Sequence, residues 1–280
     1  MRKIVPLLIA VLAAAGLVTV TGISPVSAGA GGATTDVYAV HGLNLGGQTA
    51  QADGGTNVTV CAGDTNPALI ADFEFGDIIG PVPVPTGSSL PLKVYAGAGV
   101  DCEAPGGATL LIDQTLASVP AGTVAVIATV DPPSQVRLLE ILALDVACAD
   151  AGNGRLTGAH FANAGSVDVL VNGGAAGSLV YGEDLTADLP AATYSVQVDL
   201  GATPIVGPAN IPVTAGNNTI VYVVGNQETE GNTPVVPLIQ NLAIPTCEAG
   251  VSPTTTPPPP TTTPPTPAAA PVAAQPTFTG

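Results

Sequence analysis

The side chains able to do chemistry in this sequence are few and widely spaced. They comprise two histidines, His41 and His160, four cysteines, Cys61, Cys102, Cys148 and Cys247, and acids scattered through turn-like segments. An imidazole can shuttle a proton or hold a metal, but either task needs a partner group close by. Neither histidine has a cysteine, a second histidine or a glutamate at ligand spacing, so each is expected to be a satisfied strand residue. No Gly-x-Ser-x-Gly nucleophile elbow occurs. Gly29, Gly31 and Gly32 follow no strand, which makes them a flexible start rather than a phosphate cradle. Asp36, Asp53, Asp64, Asp72, Glu74 and Asp77, with Asp168, Glu183, Asp184 and Asp188 later on, could offer oxygen ligands to calcium. The twelve-residue calcium-loop pattern is absent, so solvated acidic loops are expected and calcium is kept as the alternative. Carboxylate pairs for glycoside hydrolysis cannot be singled out by spacing. The sequence assigns no catalytic, cofactor-binding or metal-binding residue, and it reads as a non-enzyme.

Four cysteines in an exported chain are most economically two disulfides. Three connectivities are open. Cys61 closes one strand-like run and Cys102 follows another, within a loop that the later part of the chain lacks. Cys148 and Cys247 instead hold matching places before Ala-Asp-Ala-Gly and Glu-Ala-Gly. Cys61 with Cys102 and Cys148 with Cys247 is the favoured arrangement. Zinc is the competing reading, and it lacks a Cys-x-x-Cys or a close Cys/His pair.

These residues sit on a framework that the chain writes twice. His41, Phe75-Gly76-Asp77, Val84-Pro85, Val119-Pro120-Ala121-Gly122 and Cys148 are answered in order by His160, Tyr181-Gly182-Glu183, Leu189-Pro190, Val213-Thr214-Ala215-Gly216 and Cys247. An ordered repeat points to duplication of one compact unit. In the second copy, apolar runs mark strands at Thr157–Ala162, Ser166–Val171, Gly177–Tyr181, Thr186–Leu189, Thr193–Leu200, Ile211–Val213, Asn218–Val224 and Val235–Ile244. Asn172-Gly173 supplies the positive φ that a tight hairpin needs. Val136–Leu144 is the best helix candidate, but its counterpart is interrupted by Pro237, so a strand is expected in both copies. The predicted fold is all-β: two tandem immunoglobulin-like antiparallel β-sandwich domains, residues 33–150 and 151–250, joined through the turn-rich Asp150-Ala151-Gly152-Asn153-Gly154.

The ends carry different signals. Met1-Arg2-Lys3, an apolar stretch and Val26-Ser27-Ala28 read as a signal peptide over residues 1–28. Its removal leaves Lys93, Arg137 and Arg155 against 21 acids, a net charge of −18. Three scattered cations cannot displace the counterions of a nucleic acid, and the same deficit disfavours anionic lipid surfaces. Residues 251–280 are rich in Pro and Thr and are expected to form a disordered, polyproline-prone tail.

Val37-Tyr38-Ala39-Val40-His41 and Leu156-Thr157-Gly158-Ala159-His160, with Val167-Asp168-Val169, the aromatic-Gly-acid steps and the Ala-Gly before a valine-rich strand, resemble the domain-of-unknown-function 4397 family. That resemblance spans residues 36–245. It implies exported bacterial envelope or secreted proteins built of β-sandwich repeats, and it brings no reaction and no catalytic residues. His41-Gly42-Leu43-Asn44 departs from that family's usual opening, in which small residues, Pro and Asp follow the histidine. The expected function is a secreted or cell-envelope structural or adhesion module. Alternatives are a carbohydrate- or protein-binding module using acidic loops, and an extracellular hydrolase. Oligomeric state is not legible.

Overall fold

Val, Ile and Thr are frequent in the strand-forming runs, and glycine or proline ends nearly every one, so the described residues build short strands. The computed structural model describes residues 33–43, 57–132, 134, 136–225 and 235–247, all within one compact unit ending at Cys247. The expected signal peptide, the Pro/Thr tail and Asp53 lie outside the described residues. The first half contains β1 (Thr34–His41), β2 (Val58–Ala62), β3 (Ile70–Phe73), β4 (Ile78–Pro85), β5 (Leu90–Ala96), β6 (Leu110–Leu116), β7 (Thr123–Val130) and β8 (Arg137–Ala143). The second contains β9 (Asn153–His160), β10 (Val167–Val171), β11 (Gly174–Leu179), β12 (Asp184–Pro190), β13 (Ala192–Leu200), β14 (Thr203–Val213), β15 (Asn217–Val224) and β16 (Val236–Ala243).

Four four-stranded sheets result. Their orders are β4-β1-β7-β8 and β3-β2-β5-β6, then β12-β9-β15-β16 and β11-β10-β13-β14. Each strand of the first half has its counterpart eight places on, so the sequence repeat is a repeat of topology. β1 runs parallel to β7, with Val37 opposite Val124, and β9 runs parallel to β15, with Leu156 opposite Thr219. The other pairs are antiparallel. The all-β, two-sandwich architecture is therefore the one the sequence pattern predicts, and Arg137–Ala143 is a strand.

Three expected boundaries are corrected. β9 begins at Asn153, so Asp150-Ala151-Gly152 is the expected turn but the last two residues of that segment are already strand: Gly154 pairs with Leu189, and Asn153 with Pro190. A glycine is needed at position 154 because a Cβ there would lie 2.3 Å from the Thr214 carbonyl oxygen. β11 begins at Gly174 rather than Gly177, directly after the Asn172-Gly173 turn. β14 runs eleven residues from Thr203, since the irregularity at Gly207-Pro208 breaks the alternation without ending the pairing with β13.

The layers are stacked four deep. Val124, Val126 and Ala128 of β7 face the core of the first sandwich, whereas Ala125 and Ile127 face the second half. β15 does the same in reverse: Val221 and Val223 turn inward, and Ile220, Tyr222 and Val224 turn towards the first half. These central sheets thus share one core, to which Val40, Phe75, Ala159 and Phe161 also contribute. The Thr129 hydroxyl donates across it to the Phe161 carbonyl at 2.6 Å. Outer edges are blunted against further strand pairing. β4 carries Pro81, Pro83 and Pro85, and β14 carries Pro204, Pro208 and Pro212. On β8, the Gln114 carboxamide accepts from the Leu139 N–H at 2.8 Å and donates to its carbonyl at 2.9 Å, occupying both edge groups.

Candidate functional site

The repeated landmarks meet at the ends of β1 and β9. The His41 N–H donates to the Asp77 carbonyl (3.0 Å) and the Gly76 N–H donates back to the His41 carbonyl (2.9 Å). In the second half, His160 N–H to the Glu183 carbonyl (2.9 Å) and Gly182 N–H to the His160 carbonyl (2.8 Å) repeat the pattern. Gly76 and Gly182 hold φ of 96° and 85°, which side-chain-bearing residues rarely adopt. The acid that follows fixes the turn. Asp77 accepts from the Glu74 N–H (3.1 Å) and Glu183 from the Val180 N–H (3.0 Å), each carboxylate reaching back three residues. Histidine, glycine and acid therefore form a clip that fastens a turn to the end of a strand.

Both imidazoles are fully buried, at 0% exposure. His41 Nδ1 accepts from the Leu43 N–H at 3.3 Å, and the ring lies 5.2 Å from Phe73 and 6.1 Å, edge-on, from Phe75. His160 Nε2 is 3.1 Å from the Gly165 carbonyl oxygen, an acceptor only, so Nε2 carries the proton. Burial pushes the His160 pKa below its ordinary value, outweighing the carbonyls of Gly165 and Ala164, and the ring is neutral. The expected satisfied strand histidine is thus found for Nε2, while Nδ1 of His160 is buried without a hydrogen-bond partner.

The acids are spread out and mostly occupied locally. Asp64 pairs with Lys93 at 2.5 Å, Asp72 accepts from Asn57 at 2.6 Å, and Asp168 accepts from Ser178 at 2.5 Å. Asp184 accepts from Thr186 at 3.3 Å, while Asp36 and Glu74 are exposed. Asp101, which the sequence reading passed over, accepts from Asn66 and from the Glu103 and Ala104 N–H groups. Those three donors hold its carboxyl below the usual range, with Asn66 the largest cause. Among the described residues, no three His, Cys, Asp or Glu side chains converge to hold a metal.

What the structure does bring together is the junction between the halves. Cys61 is bonded to Cys102, and Cys148 to Cys247. Ala149 N–H donates to the Pro245 carbonyl (3.0 Å) and Cys247 N–H to the Ala149 carbonyl (2.8 Å), so the linker pairs with the chain leaving β16. Arg155, only 5% exposed, reaches out from β9 to tie it down. Its guanidinium meets Asp188 at 2.7 and 3.1 Å, Asp145 at 2.9 Å and the Ala147 carbonyl at 3.1 Å. Asn218 adds a bond to the Asp145 carbonyl at 3.1 Å. Sequence reasoning missed this cluster because Arg155 directly follows a segment read as turn, although the single Lys or Arg of the second half was a signal.

No family model matches the sequence, and no curated protein matches it. Among solved structures, a chain described as a "putative cell adhesion protein" from Bacteroides ovatus ATCC 8483 aligns over 78% of this chain and 100% of its own length. The identity is 10% and the TM-score 0.19, a level of similarity from which no function is drawn.

Proposed function

We propose that this chain is an extracellular structural or adhesion module, secreted or held at the cell envelope, that works without catalysis. One observation carries the reading: the groups chemistry would need are spent on holding the fold. The histidines are buried beside clipped turns, most of the candidate acids cap or pair locally, and the best-connected charged residue, Arg155, secures the linker. Two disulfides fit an oxidising compartment. The acidic balance favours solubility and disfavours polyanionic partners. The repeated motifs that resemble exported envelope proteins lean the same way, and that resemblance rests on those residues alone.

The test is to expose the full chain to cell-wall material, a glycan array and extracellular proteins, with calcium and with a chelator, and to assay ester and glycoside turnover alongside. Saturable retention with no turnover is the expected result. Turnover that disappears in His160→Gln or Asp77→Asn, with folding intact, would overturn the passive reading. Retention abolished by chelation would move the account to calcium-dependent loops.

A further inference from the structure

The two sandwiches have the same topology but are not equally full. Between the sheets of the first half the unfilled space is about 50 Å³, whereas between those of the second it is about 150 Å³. Matching the strands explains the difference. Val58 faces Phe73 on β3 where Val167 faces Leu179 on β11; three residues earlier Ile70 lines the first space, and Ala176, at a register irregularity of β11, lines the second. Val37 faces Val82 on β4 where Leu156 faces Ala187 on β12, and Ala39 facing Ile79 becomes Gly158 facing Leu185. Leu156 and Leu189, in place of Val37 and Val84, regain only part of the lost volume. A Cβ built on Gly158, which lines the space, meets no atom within 4 Å.

The space is reachable. Ala176 and Ala187 line it and are exposed, on β11 and β12, which are edge strands of the two sheets. Its lining is aliphatic throughout, with Val167, Val198, Val221 and Val223 deepest in cover. No charged side chain lines it: on β12 the inward Leu185, Ala187 and Leu189 alternate with Asp184 and Asp188, which share the opposite face with Ala159 and Arg155. Arg155, the one cation of the second half, is already engaged by Asp188 and Asp145. A carboxylate-bearing lipid would have no counter-ion there.

We propose that the second sandwich is a binding site for a small, uncharged, apolar molecule, entering between β11 and β12 and lodging against Gly158. The size points to a benzene-like ring or a short hydrocarbon, since an apolar cavity of this volume takes such guests. This goes beyond the structural reading and stands or falls independently of it.

The experiment is a titration of the full chain with benzene, followed by methyl and amide NMR, with hexanoate as the charged comparison. Variants Ala176→Ile and Ala187→Val restore the first half's side chains, and Gly158→Ala is a milder filling change. Saturable benzene shifts at Val169, Leu185 and Val196, with affinity falling about tenfold or more in the filled variants, are expected. No saturable shift in the parent chain overturns the proposal. So do benzene shifts that persist unchanged in all three variants, which would place the guest elsewhere. Hexanoate binding as tightly as benzene overturns the choice of an uncharged guest.

Discussion

Replacing Cys148 and Cys247 together by alanine isolates what the junction disulfide does. The bond joins residues 99 apart. In the chain-entropy account, a loop of that length restricts the unfolded chain by about 4.7 kcal/mol at 25 °C. The folded junction has other fastenings: the Ala149 and Cys247 backbone bonds, the Arg155 contacts to Asp145 and Ala147, and the Asn218 bond. Native geometry should persist, so nearly all of the cost falls through the unfolded state. Urea denaturation of the parent and the double variant should show stability lower by about 4–5 kcal/mol and a steeper denaturant dependence, because the freed chain exposes more surface. The Cys61–Cys102 bridge is the internal comparison. Its separation of 41 gives about 3.9 kcal/mol by the same relation, but both its cysteines are fully buried. Alanines there leave a cavity, and the total should equal or exceed that of the longer loop. A loss under about 2 kcal/mol for Cys148→Ala/Cys247→Ala, with unchanged slope, would refute the unfolded-state explanation.

Arg155→Met keeps the stem but removes the donors to Asp188 on β12 and to Asp145 and Ala147 in the linker. Because Asp188 and Asp145 are partly exposed and can rehydrate, the expected loss is about 2–3 kcal/mol, at the lower end for a buried pair, read by chemical denaturation. His160 gives a pH signature. Burial depresses its folded pKa, so the unfolded chain takes a proton first as pH falls, and stability present above about pH 6.5 is lost below it. His160→Gln should flatten that limb in unfolding curves at about pH 5 and pH 7.5. Ile127→Ala, in the core shared by the central sheets, should cost about 2–5 kcal/mol in the same assay. A loss below about 1 kcal/mol would mean the halves barely touch there.

The strands were legible because Val-rich runs broken by glycine and proline leave little choice of element, and the Asn172-Gly173 turn sets its hairpin on local chemistry alone. The His and Gly-acid repeats were visible as a pattern, but not their purpose, since a backbone clip depends on which strand end meets which turn. β14 was read too short because Gly207-Pro208 disturbs its alternation while the hydrogen bonds to β13 continue on either side. The shared core left a trace that single-strand reading passes over. Val124 to Ala128 and Ile220 to Val224 are apolar at successive positions, the mark of strands covered on both faces. The cavity was hidden because Ala176, Ala187 and Gly158 look ordinary until each is set against its counterpart in the first half.

The central claim is that both sandwiches form one structural unit through the core lined by Ile127, Tyr222 and Phe161. Differential scanning calorimetry of the full chain tests it most directly. The account predicts a single transition whose van 't Hoff and calorimetric enthalpies agree, moved as a whole by Ile127→Ala. Two resolved transitions, one of them untouched by that substitution, would contradict it.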